Sequence, residues 1–449
     1  MFAATSPCDK KRGVILFPIT SFMYIAGHKP NPVSLRIEPP DNWHAVNGRT
    51  TSADQREWHF PNYDVMIDTP TEIGPDWTME EFRVDGIVYR VVVHSLGNEN
   101  GKRAALVRDI EKIVRVETAM WGAPDFESYT FLIHFAADNR SGDGMEHLTS
   151  TQIIEPGVLA DQAAYEGALE TAAHEFFHLW NVKRLRPVEL GPWDLTRPLS
   201  TRSLWIAEGL TNYYGAMTMR RAGLWNNQRL YDALAETITV VENAPGSRMM
   251  SAEEASTLAP LLDRTPHAQE HNLESTSISY YIKGEVLGLV LDLLVRGATD
   301  SRQSLDDVMR KMYDSFYLNS PNDSYYLKGR GYTVEDFERV TTQTANNRLQ
   351  DFFARYVRGV ETPPYAEALS RVGLRLTGEP LNDFKHNLGI SLANGSMRVR
   401  SVRPGSPAEE AGIERGDTIL TVAEKDMSSR GWIETLGKAK PGENVAITL

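Results

Sequence analysis

Cysteine is all but missing from this chain of 449 residues. Cys8 stands alone, so no intramolecular disulfide can form and the fold has to be held by its core, a usage that fits periplasm and cytoplasm equally. Also absent is any run of about 18 consecutive apolar residues, which leaves no membrane-spanning helix and points to a soluble protein. Basic charge is in deficit, with 47 Lys and Arg against 60 Asp and Glu and a net charge of −13. That balance speaks against a nucleic-acid partner, which would require a basic face, and suits a cationic substrate such as a free amino terminus. The rest is ordinary for globular protein, 41% apolar and 24% charged, and the length calls for two or three domains.

One segment imitates a secretory leader. Lys10-Lys11-Arg12 precedes an apolar stretch from Gly13 to Gly27. The stretch is rich in β-branched and aromatic residues, is broken by Pro18 and lacks a small-x-small cleavage site, so it reads as β-strands of the mature protein.

What the chain does have is His174-Glu175-Phe176-Phe177-His178 inside Ala168-Leu169-Glu170-Thr171-Ala172-Ala173-His174-Glu175-Phe176-Phe177-His178-Leu179-Trp180, a run with the marks of a buried helix. Two histidines four apart on a helix project from one face, so both imidazoles reach one zinc ion at about 2.0–2.1 Å. The neighbouring glutamate is placed to take a proton from water. With 11 histidines in the chain, the bare pattern is a moderate signal beside the alternative of an ordinary core helix.

A zinc hydrolase needs a third protein ligand and an open fourth position. Glu208, 30 residues beyond His178, interrupts the apolar helical stretch Leu204-Trp205-Ile206-Ala207-Glu208-Gly209-Leu210. A buried unpaired carboxylate is expensive, and a metal removes that cost; the blander alternative is a cap or ion pair at a helix end. His267-Ala268-Gln269-Glu270-His271 matches an inverted zinc motif, but its polar surroundings have no apolar face and read as an exposed loop.

The texture along the chain predicts a multidomain α+β protein. Residues 1–98 look like a β-domain, with strand-like runs at Val33-Ser34-Leu35-Arg36-Ile37-Glu38, Tyr63-Asp64-Val65-Met66-Ile67-Asp68 and Val88-Tyr89-Arg90-Val91-Val92-Val93-His94. Residues 99–372 open with a helical pattern from Leu106 to Val116 and a strand at Tyr129–Phe135, then become mostly helical and carry the zinc motif. In residues 373–449, Leu388-Gly389-Ile390, Met397-Arg398-Val399-Arg400-Ser401-Val402, Pro404-Gly405-Ser406-Pro407-Ala408-Glu409-Glu410-Ala411-Gly412-Ile413 and Arg415-Gly416-Asp417-Thr418-Ile419-Leu420-Thr421-Val422 give strand, short helix, turn and strand, which resembles a PDZ domain. In that fold the Leu388-Gly389-Ile390 loop offers backbone N–H groups to a peptide carboxyl terminus. The blander alternative is a small β-domain that braces the catalytic block.

Taken in order, His174 through Trp180-Asn181-Val182-Lys183-Arg184-Leu185-Arg186-Pro187, then Trp205-Ile206-Ala207-Glu208-Gly209-Leu210-Thr211, then the PDZ-like segment, resemble the glycyl aminopeptidase family. These are PDZ-bearing gluzincin zinc metallopeptidases with a thermolysin-like catalytic domain and an N-terminal β-domain. The resemblance covers most of the chain. The N-terminal β-region is shorter than the family's, and the PDZ-like segment stops early, at Val445-Ala446-Ile447-Thr448-Leu449, so a chain truncated at both ends is expected.

The resemblance also implies roles. It implies one Zn2+ per chain on His174, His178 and Glu208, with Glu175 as the base. Related aminopeptidases carry Gly-x-Met-Glu-Asn ahead of the zinc helix, similar to Gly142-Asp143-Gly144-Met145-Glu146-His147 here, which implies that Glu146 holds the substrate's free amine. His147 stands where the relatives have Asn. Their transition-state tyrosine lies in Pro-Tyr-Glu-Lys-Gly, similar to Tyr280-Tyr281-Ile282-Lys283-Gly284; Tyr281 is the better match, with Tyr280 the alternative. The activity implied is removal of amino-terminal residues from peptides, with small first residues, Gly or Ala, favoured. Two rivals keep the zinc site but cleave an internal peptide bond or an epoxide; a third is a PDZ-type scaffold with an inactive site.

Overall fold

The computed structural model describes residues 14–16, 18–95, 97, 99–139, 141–262, 276–322, 324–377, 388–392, 396–402, 406–426 and 442–449. Cys8, Lys10-Lys11-Arg12 and the His267–His271 motif lie outside the described residues.

The N-terminal region holds two small antiparallel sheets. Strand β5 (Thr71–Gly74) lies between β1 (Val14–Leu16) and β3 (His44–Asn47), and β2 (Val33–Arg36) pairs with β4 (Glu57–Phe60). The expected strand at Tyr63–Asp68 is instead a helix, α2 (Tyr63–Ile67), preceded by a one-turn helix α1 (Pro18–Ser21). The Asn62 side chain accepts from the Val65 N–H at 2.9 Å and starts α2. Tyr63, Met66 and Ile67 then fall at i, i+3 and i+4 and join Leu35, Trp58 and Phe60 in one apolar cluster. The apolar stretch after Gly13 is likewise only partly strand. Pro18 opens α1, where its missing N–H has no helical partner to lose.

The central sheet has five strands, β6 (Thr78–Val84), β7 (Ile87–His94), β8 (Ser128–Ala136), β9 (Asp143–Glu146) and β10 (Ser150–Pro156), in the order β6-β7-β8-β10-β9. The inner strands β7, β8 and β10 run parallel and the edges antiparallel. Helix α3 (Lys102–Trp121) makes the crossover from β7 to β8. Side chains alternate across the strands. Tyr89, Val91, Val93, Tyr129, Phe131 and Ile133 enter the main core, while Val92 and Leu132 face the other way and meet Val46 of β3. The N-terminal sheet therefore rests on the back of the central sheet. Strands β6 and β7, from the stretch expected in the N-terminal domain, pair into the same sheet as β8, β10 and β9.

Helices cover the front. Helix α4 (Gln162–Phe177) packs on β10, α3 and α5 (Leu210–Arg221), and α6 (Asn227–Asn243), α7 (Ala252–Leu262) and α8 (Tyr280–Ala298) complete the layer. No helix among the described residues is long and apolar enough to cross a membrane. At the C-terminal end, Ile390, Val399, Ala408, Ile413, Ile419 and Val422 form a separate small core, as the PDZ reading requires. The mixed α and β architecture is as the texture of the sequence predicts.

Candidate active site

Helix α4 runs toward the site and ends at Phe177, with His178 as its C-terminal cap, three residues before the expected end. His174 and His178 keep the one-turn spacing, and their Nε2 atoms are 2.9 Å apart. Glu208 arrives from a π-helical turn, Trp205–Gly209, that leads into α5. Its Oε2 lies 3.1 Å from His178 Nε2 and 3.4 Å from His174 Nε2. A π turn widens the helix by one residue and re-aims a side chain, a distortion common at functional sites.

Asn181 joins the two ligand-bearing segments. His178 Nδ1 lies 2.7 Å from the Asn181 carbonyl oxygen, which leaves Nε2 turned toward Glu208. The Asn181 amide donates to Ile206 O at 3.0 Å, Ala207 O at 3.3 Å and Thr211 Oγ1 at 3.1 Å. The Asn181 side chain is fully buried; an amide in the apolar run Leu179-Trp180-Asn181-Val182 was the available sequence signal, and the motif reading gave it no role.

Two glycines let the opposite wall approach. A Cβ on Gly284 of α8 would stand 2.8 Å from Gly209 Cα and 2.5 Å from Trp205 O, so the π turn and α8 cross backbone to backbone. The crossing puts Tyr281, in the first turn of α8, on the wall of the same cavity as Glu208. Its ring stacks beside His174, centroids 6.3 Å apart. Tyr280 instead joins the buried core.

The edge strand β9 forms the remaining wall. Gly144 lies so close to Glu175 that any side chain there would overlap the carboxylate. Oxygens of Glu146 and Glu175 and a ring nitrogen of His178 lie within 4.8 Å of one another. The cavity has a volume of about 390 Å³ and is lined by all six expected site residues, His174, Glu175, His178, Glu208, Glu146 and Tyr281.

The electrostatics favour a cation. Burial opposes charge on His178, but Glu208, with Glu146 and Glu175 near, outweighs it and raises the imidazole to about 10. His174 is lowered, by burial and by His178. Burial likewise opposes charge on Glu208, yet His178 and His174 hold its carboxyl well below the usual range. Glu175 is pushed far up by burial, and its Oε2 is buried with no hydrogen-bond partner. Two imidazoles and one carboxylate converging beside an unsatisfied glutamate match the donor set of a zinc hydrolase. Tetrahedral ligands at 2.0–2.1 Å stand about 3.3 Å apart, close to the separations here.

Such a helix, carboxylate and cavity on a mixed sheet define a hydrolase of the peptidase class. The M61 glycyl aminopeptidase family model matches residues 167–287, which include every expected site residue except Glu146. The model of the M61 N-terminal domain matches residues 2–75, and a PDZ model matches residues 398–449. The catalytic, N-terminal and PDZ models thus match in turn along the chain, and over these segments it is similar to the M61 glycyl aminopeptidase family. It is similar to a solved aminopeptidase N family protein from Idiomarina loihiensis, with a TM-score of 0.86 and 25% identity over 96% of this chain and 76% of that one. No curated protein matches the chain.

Proposed function

We propose that the protein is a zinc-dependent aminopeptidase that hydrolyses the first peptide bond of peptides, favouring small first residues such as Gly and Ala. The observation that carries the reading is Glu146 beside Glu175 and His178, within 4.8 Å. A carboxylate there gives a substrate ammonium group a partner and anchors the chain end next to the base. Zinc would be held by His174, His178 and Glu208, and would supply Lewis acidity and an activated water near neutral pH.

The protein's own groups then divide the work. Glu175 takes the proton from the attacking water and passes it to the leaving amine. Burial, then Glu208, raises the Tyr281 phenol, which keeps its proton at neutral pH and donates to the oxyanion that develops on the scissile carbonyl. Asn181 holds His178 and the Glu208 turn in register.

This reading goes with an N-terminal domain ending near residue 75, where the matched N-terminal model stops, a catalytic domain beginning with β6, and a PDZ domain that binds peptide carboxyl termini. The test compares glycyl and alanyl anilides with their N-acetyl forms. An aminopeptidase cleaves only the free amines; equal cleavage of the acetylated forms would make the enzyme an endopeptidase.

A further inference from the structure

On the far side of the central sheet from α4, a second trio of the same composition converges. His94 and His134 are register neighbours in the parallel β7–β8 pair. They alternate with Val93, Ile133 and Phe135 of the main core, so both face the N-terminal sheet. There Glu72, on the middle strand β5, meets them. Its Oε1 lies 2.8 Å from His94 Nδ1 and 3.1 Å from His134 Nδ1, and the two rings stand edge to face with centroids 4.5 Å apart. Glu72 and His94 are 3% and 2% exposed.

We propose that Glu72, His94 and His134 form a second divalent-metal site, of the zinc class, that pins the N-terminal sheet to the back of the catalytic sheet. Three observations support it. The donor set repeats that of the front cavity, two imidazoles and a carboxylate, and all three ligand atoms lie within 4.8 Å of one another. The nitrogen-to-oxygen separations of 2.8 and 3.1 Å resemble the 3.1 and 3.4 Å between His178, His174 and Glu208. The other nitrogen of His94, Nε2, lies 2.8 Å from Asp76 Oδ1, the kind of outer carboxylate that orients a ligand imidazole.

Charge balance agrees. A dication between neutral rings would answer the charge of buried Glu72, where an unpaired carboxylate is costly, with half-exposed Asp76 beside it. The site is independent of peptide hydrolysis. Its ligands come from three strands that are brought together only when the N-terminal sheet docks, so the metal would stabilise the docked state.

Metal counting on the full chain decides the matter. After equilibration with zinc and removal of the free ion, the protein should retain two equivalents. Glu208→Ala should keep one, even without activity. His134→Gln should also keep one, hydrolyse glycyl anilide at a rate within about twofold of the unsubstituted protein, and unfold at a lower temperature. A chain that holds one equivalent and loses it in Glu208→Ala would overturn the second site and leave the front site standing. Should His134→Gln fail to fold, cobalt titration of the unsubstituted protein and of Glu208→Ala gives the answer: two binding steps and one are expected, one and none would refute the proposal.

Discussion

Asp68 Oδ2 accepts a 2.7 Å hydrogen bond from the backbone N–H of Leu148. Asp68 closes α2 in the N-terminal region; Leu148 sits in the β9–β10 connection, two residues after Glu146. The other oxygen, Oδ1, lies 2.9 Å from Lys183 Nζ and 3.2 Å from His147 Nδ1. One carboxylate thus ties the N-terminal region to a wall of the catalytic cavity and to the segment after the zinc-motif helix. His147, where the related aminopeptidases carry Asn, is part of this tie.

Removing that carboxylate tests the connection. Asp68→Ala leaves the largely buried Lys183 without its carboxylate partner, which costs up to about 3–5 kcal/mol in fully buried pairs. Urea unfolding should show a loss of that order, and KM for a free-amine anilide should rise more than kcat falls, because the Glu146 strand is less firmly held. Burial raises the Asp68 carboxyl, but Lys183 and His147 outweigh it and leave it below its ordinary value. A depressed folded-state carboxyl contributes stability above the unfolded value of about 3.9 and loses it as pH falls. The stability gap between the unsubstituted protein and Asp68→Ala should therefore narrow below about pH 4.

Glu175→Gln keeps the shape of the side chain and removes the proposed base. Turnover should fall by roughly 10²–10⁴ while metal content is unchanged. Near-normal turnover would take the base assignment away from Glu175.

The paired tyrosines separate by position. Tyr281→Phe should lower kcat by roughly 10²–10³ with little change in KM, as expected for a lost oxyanion donor. Tyr280→Phe, in the core, should leave kcat near normal. The reverse pattern would exchange their roles.

Gly144→Ala adds one methyl group against the Glu175 carboxylate. Because the nearest atoms belong to the proposed base, activity should drop by at least tenfold, while metal content and thermal unfolding change little. Full activity would show that Glu175 has room to move aside.

Helical periodicity made the centre of this site legible without a structure. His174, Glu175 and His178 hold their mutual geometry within one turn, so their spacing alone predicts the shared face. Residue type sufficed for Glu208, a carboxylate in an apolar stretch. The same local reasoning failed at Tyr63–Ile67, where a strand-like composition hid an i, i+3, i+4 pattern and an Asn62 cap. Choosing Tyr281 over Tyr280 for the cavity wall needed the Gly209–Gly284 crossing, a contact between helices far apart in sequence.

By itself, then, the sequence determined what short-range periodicity and side-chain chemistry control: the helix with its two histidines, the carboxylate that joins them, and the order of the domains. Tertiary structure alone decided which distant residues meet. Sheet order and strand register put Glu72 against His94 and His134, Asp68 against Leu148, and Gly144 against Glu175, and neither follows from spacing along the chain. The physical reason is range: a helix turn is set by neighbours three and four residues away, whereas these contacts exist only once whole layers have packed.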